Sequence, residues 1–183
     1  TPRGRGTVHS AIPWLALGRR MAPVTVVDFC YGWFLVVFQT WIPNYFVQNH
    51  GLNLGKTALF STAVLFAGVI GDTVGGILTD TILHRTGSIL LARRGVLILG
   101  FLGACLFMIP VVFTGDLIVA TLCLSLAFFF AELIVAPIWA IAMDIAPSYA
   151  GTASGMMNFG FGLASILSPV FFGYTIEHTH NWT

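Results

Sequence analysis

Charge is what this sequence has least of. Only 8% of its 183 residues are Asp, Glu, Lys or Arg, where a soluble domain carries roughly a quarter. Lysine occurs once, at Lys56. The net charge of +1 is not the concentrated basic face that nucleic-acid binding shows, so no nucleic-acid partner is expected. Cysteine is scarce too. Cys30, Cys105 and Cys123 lie in apolar runs without CxxC or other metal spacing, as small buried hydrophobes do. His9, His50, His84, His178 and His180 all fall in or near candidate loops. His178 and His180 are two apart, but no carboxylate or cysteine set completes a metal site there. Nothing points to a cofactor. Sustained apolar/polar alternation is also missing, which argues against membrane strands.

What is present is apolar. The chain is 57% hydrophobic, with a mean hydropathy of +0.90. That surplus exceeds what one compact core hides, and the lipid bilayer is the remaining place for it. Five runs, near 24–47, 57–83, 95–113, 117–143 and 149–176, reach the roughly 20 helical residues that cross a bilayer. The expected class is an all-α membrane protein of five transmembrane helices. Pro23 is expected to open the first run, where its missing N–H costs nothing. Thr114-Gly115-Asp116 separates the third run from the fourth, and Pro147-Ser148 the fourth from the fifth. Pro43 should bend the first span near its outer end, and Trp41 and Tyr45 suit an interfacial belt.

The few cations orient the chain. Segments 1–23, 84–94 and 144–148 share one side and hold Arg3, Arg5, Arg19, Arg20, Arg85, Arg93 and Arg94. Segments 48–56, 114–116 and 177–183 share the other and hold only Lys56. The positive-inside rule makes the arginine side cytoplasmic, residue 1 included. Arg19-Arg20 before an apolar run suits an ordinary cytoplasmic flank better than an export signal, because four more spans follow. The chain begins at Thr1 and stops at Thr183 just after an apolar run, so a piece of a longer protein is expected. Asn181-Trp182-Thr183 matches the short glycosylation pattern.

Ionisable groups inside a membrane are costly, on the order of 2.5–3.5 kcal/mol at the centre, and face a cavity or a partner. Asp28 lies about one turn inside the first span, and Asp72 and Glu132 near the middle of the second and fourth. Desolvation favours the neutral form of a carboxyl, and a protonatable carboxyl in a cavity is what proton coupling requires. Asp72 and Glu132 are therefore candidates for that role, with a satisfied structural pair as the alternative. Asp80 and Asp144 sit at cytoplasmic ends, where capping or pairing with arginine is expected. Glu132, Ala136, Trp139 and Met143 follow helical spacing along one wall, and Pro137 should kink that run. Small residues of the fifth span, Gly151 to Gly162, suit packing seams. Asn158, Gln39 and Asn44 would bond another helix or a solute.

The stretch Gly76-Ile77-Leu78-Thr79-Asp80, with Arg85 and Gly87 beyond it, resembles the loop motif of the major facilitator superfamily. In that motif a glycine and an aspartate four apart precede basic residues, and the set forms a cytoplasmic gate. Thr81 stands where a basic residue is usual, as in the weaker second copy of the motif. TWIPNYF near residue 40, PIWAIAMDIAP at 137–147 and SYAGTASGMMNFGFGLASILSPVFFGY at 148–174 are similar to the anion:cation symporter branch, which carries galactonate, glucarate, tartrate and related organic acids. The resemblance covers about residues 14 to 182.

It implies that the spans are helices seven to eleven, most of the C-terminal six-helix bundle. Residues 1–23 become the cytoplasmic linker between bundles, 24–176 the transmembrane bundle, and 177–183 the start of the last outer loop. The N-terminal half and the twelfth helix are then absent, and that half is a partner. It further implies alternating access by rocking bundles, proton-coupled symport of a sugar acid or small dicarboxylate, no enzymatic activity, and a bacterial inner (plasma) membrane. Trp139 matches a substrate-contacting tryptophan of helix ten and Asn158 a substrate-contacting asparagine of helix eleven. Asp28, the third substrate-binding candidate, falls where galactonate-type members carry an amide, and Ala136 where a hydroxyl is seen. Both departures bear against a galactonate substrate.

Two rival readings stand beside this one. Gly71-Asp72 is like the GD of aspartyl intramembrane proteases, but their GxG and Tyr-Asp partners are absent. Ser154-Gly155 is like the serine type, but Thr152 replaces the needed glycine and no membrane histidine exists. A five-helix structural or assembly subunit would suit the length but not the loop motif.

Overall fold

The computed structural model of the protein describes residues 12–179. Arg3, Arg5, His9, His180 and the Asn181-Trp182-Thr183 pattern lie outside the described residues. Helix α1 runs Trp14–His50, α2 Leu54–Thr86, α3 Ile89–Phe113, α4 Leu117–Glu132, α5 Val135–Ile145 and α6 Ala150–Thr179, with a single 3-10 turn at Pro147–Tyr149. Among the described residues, five helical spans are long and apolar enough to cross a membrane, α4 and α5 together making one of them. The chain is an all-α membrane protein.

Local chemistry sets the ends. Asn53 caps α2 by accepting from the Lys56 N–H at 3.0 Å, and Asp116 caps α4 by accepting from Ile118 and Val119 at 2.8 and 2.9 Å. Gly51 and Gly87 close α1 and α2 with φ of 61° and 64°, the left-handed conformation glycine reaches without a Cβ clash.

Two expectations change. Pro23 does not open the first helix but lies inside it, because α1 already starts at Trp14. The stretch Trp14–Ala22 has good helix formers, and proline removes only one backbone bond, to Arg19. Residues 14–22, assigned from sequence to the linker, are therefore helical. The fourth span is not one kinked helix. It breaks at Leu133–Ile134 into α4 and α5, because Pro137 has no N–H for the Leu133 carbonyl and its ring crowds that oxygen.

The helices pack through small residues. A Cβ on Gly71 or Gly75 of α2 would strike the carbonyls of Phe129 and Leu133, and one on Gly160 of α6 would strike the carbonyl of Thr25. Gly100 and Gly103 of α3 make the same room for Ile134 and the Phe130 ring. Such close approach maximises dispersion contact where lipid supplies no hydrophobic drive. The fifth-span expectation holds for Gly160, whereas Gly151, Gly155 and Gly162 have nothing within 4 Å. One apolar cluster, with Met21, Val24, Ile138 and Met157, fills the arginine end. A second, with Phe38, Phe46, Val64 and Phe128, fills the other.

Candidate functional site

Three polar groups of the spans, Tyr31, Asp72 and Glu132, lie near the middle of their spans. Glu132 is the last residue of α4, about halfway along the fourth span. Tyr31 of α1 donates to its carboxyl, with the hydroxyl 3.0 Å from one oxygen and 3.1 Å from the other. A cavity of about 310 Å³ opens beside this pair, lined by Gln39, Asp72 and Glu132 with Leu35, Val69 and Phe128. Gly68 shapes it: a Cβ there would meet the Phe128 ring and lie 2.8 Å from Glu132 Cγ. Asp72 is exposed toward this space. Sequence reasoning named Asp72, Glu132 and Gln39 one by one. Tyr31 escaped it, since one tyrosine among many apolar residues carries no spacing signal.

Asp28 lies one turn from Tyr31 on α1. It is 4% exposed, and its Oδ2 has no hydrogen-bond partner. It is not among the residues lining the acidic cavity. Trp139 of α5 is 40% exposed and Asn158 of α6 is exposed as well. Neither shares the acidic cavity. Ala136 faces Gly76 of α2, whose Cβ position lies 3.7 Å from the alanine methyl.

The arginine end holds a second constellation. Thr79 of α2 donates to the Ala92 carbonyl of α3 at 3.0 Å. Arg93 of α3 donates to the Thr79 hydroxyl at 3.3 Å and, through Nε, to Asp144 of α5 at 3.1 Å. Among the described residues this is the only ion pair. It ties three helices together. Of the two end aspartates, Asp144 finds an arginine, whereas Asp80 and Arg85 are exposed and unpaired among the described residues. The loop motif thus places Gly76 against α5, while the charge link runs through Arg93 and Asp144.

The sequence pattern of the Major Facilitator Superfamily matches residues 2–169. The chain belongs to the major facilitator superfamily. Its relatives in that superfamily include a probable sulfoacetate transporter of Cupriavidus necator, 51% identical over 178 residues, covering 97% of this chain and 41% of that protein. A probable galactarate/D-glucarate transporter of Pseudomonas putida is 30% identical over 166 residues, covering 90% of this chain and 36% of that protein. A sodium-dependent phosphate transport protein of Arabidopsis thaliana chloroplasts is 26% identical over 170 residues, covering 92% of this chain and 33% of that protein. This major facilitator chain therefore spans about two fifths or less of the length of these relatives.

Proposed function

We propose that the chain forms helices seven to eleven of a secondary transporter that carries a small organic anion with protons by alternating access. The observation that supports it most is the mid-depth cavity, where Asp72 and Glu132 stand together in a chain related to organic-anion transporters. Two carboxyls at membrane depth are expensive to keep, and a site that binds and releases protons gives them a use. The N-terminal half of the same transporter is the partner that completes the passage. Residues 1–23, of which 14–23 are already the start of α1, lead in from the other bundle, 24–176 form the transmembrane bundle, and the chain from 177, where α6 runs on to Thr179, leads toward the last helix. The bacterial inner membrane is the location, with the arginine end in the cytoplasm.

Within this reading Glu132 and Asp72 exchange protons. Trp139 and Asn158, exposed on α5 and α6, meet the substrate at the face turned to the other bundle. Asp28, buried on α1, is the third substrate-site candidate, and it can meet an anion only in its protonated form. Gly76, Asp80 and Arg85 form the cytoplasmic gate when the other bundle closes on them. The 51% relative makes a small dianion bearing a sulfonate and a carboxylate the first substrate to try.

The test is uptake by cells expressing the complete transporter, with labelled sulfoacetate, sugar acids and small dicarboxylates, with and without a protonophore. Accumulation of one acid that collapses with the protonophore is the expected result. No uptake of any of them, with the protein confirmed in the membrane, would overturn the organic-anion reading.

A further inference from the structure

Tyr31 has no part in the reading above, yet it holds the carboxyl on which that reading depends. Its side chain is buried, its ring packs 6.2 Å from that of Phe161 on α6, and its hydroxyl reaches both oxygens of Glu132. Glu132 in turn closes α4 at the break that Pro137 imposes. The residue after it, Leu133, lies against Gly75 of α2. One hydrogen bond therefore joins α1 to the hinge of the fourth span. We infer that Tyr31 is the positioning residue for Glu132 and that their hydrogen bond latches α1 to the break between α4 and α5.

The chemistry of the two protonation states differs. An ionised carboxyl is acceptor-only and offers both oxygens to the hydroxyl, and a bond to a charged acceptor is roughly twice as strong as a neutral one. A protonated carboxyl keeps one oxygen as a hydroxyl and accepts more weakly. Uptake of a proton by Glu132 then loosens α1 from the hinge, and α5 is freed to tilt. The charged or titratable groups that reach the pair electrostatically are Asp28 of α1 and Asp72 of α2. Both are acids, so neither supplies a cation that would hold Glu132 in place of Tyr31. The inference rests on proton coupling for its role in transport, but the latch itself does not.

The experiment uses the complete transporter in membrane vesicles, with Tyr31→Phe, Glu132→Gln and the double variant. Tyr31→Phe keeps the ring and removes only the donor. Proton-driven accumulation should fall about tenfold or more, the scale of a hydrogen bond to a charged group, and its pH profile should move. The double variant should be no worse than Glu132→Gln alone. Losses that multiply, or a Tyr31→Phe protein with wild-type accumulation and pH profile, would overturn the positioning role. A second arm measures thiol labelling of Met143→Cys, on α5 beyond the break, in a background lacking the native cysteines. Labelling should be faster with Tyr31→Phe, and an unchanged rate overturns the latch. If the protonophore leaves wild-type accumulation intact, proton coupling fails, and the labelling arm still decides the latch.

Discussion

The carbonyl of Leu133 lies where a side chain on Gly75 would begin. Leu133 is also the residue whose carbonyl Pro137 leaves without a helical donor. The break in the fourth span and the bare backbone of the second thus meet at one point.

Gly75→Ala and Gly71→Ala should each destabilise the complete transporter by about 1–3 kcal/mol, because a methyl group there meets backbone that cannot swing aside. Gly95→Ala is the control, since nothing lies within 4 Å of its Cβ position. That change should be neutral or mildly stabilising, by up to about 1 kcal/mol of helix propensity. Thermal unfolding followed by size-exclusion chromatography of the detergent-solubilised protein separates the three.

Asp144→Asn should cost little stability, about 1 kcal/mol or less, because its side chain is 37% exposed and such pairs are weak. Arg93→Ala should cost more, since it also strips a donor from Thr79. Exchanging the pair, Arg93→Asp with Asp144→Arg, should recover only part of the stability, as the Thr79 bond is not restored. The same melting measurement checks all three, with equal losses from both single changes counting against the network.

Pro137→Ala supplies the missing N–H to Leu133 and should favour a continuous fourth helix. Transport should slow in maximal rate with little change in KM, since the change touches the hinge and not the substrate face. Initial-rate uptake over a range of substrate concentrations tests this, and a wild-type maximal rate would remove the hinge from the mechanism.

Asn158→Ala and Trp139→Ala should raise KM for the transported anion about tenfold or more, the scale of losing a hydrogen bond to a charged solute. Unchanged uptake at limiting substrate in both variants would take them out of the binding site.

Impermeant thiol reagents should label Gly115→Cys on intact cells and Thr86→Cys only after permeabilisation, in a background without the native cysteines. The opposite pattern would reverse the orientation drawn from the arginines.

Much of this was decided by composition and order alone. The scarcity of charge, the five apolar runs and the arginine asymmetry are local properties, so the all-α class and the number of spans follow from length and hydropathy. Pro137 announced a disturbance in the fourth span because proline's missing N–H acts within its own helix. The same local logic misplaced the start of α1, since the cost of Pro23 inside the helix is one lost backbone bond, which a helix of 37 residues absorbs.

Pairings between helices were decided elsewhere. Tyr31 and Glu132 are 101 positions apart, and Arg93 and Asp144 are 51 apart. Asp80 looked as ready for an arginine as Asp144, yet among the described residues only Asp144 pairs with one. Which side chains meet depends on the rotation of each helix about its axis, and that rotation is set by where Gly71, Gly75 and Gly160 let backbones touch. An apolar run records that a helix exists and crosses lipid, but a chain apolar on every face does not record which face turns inward.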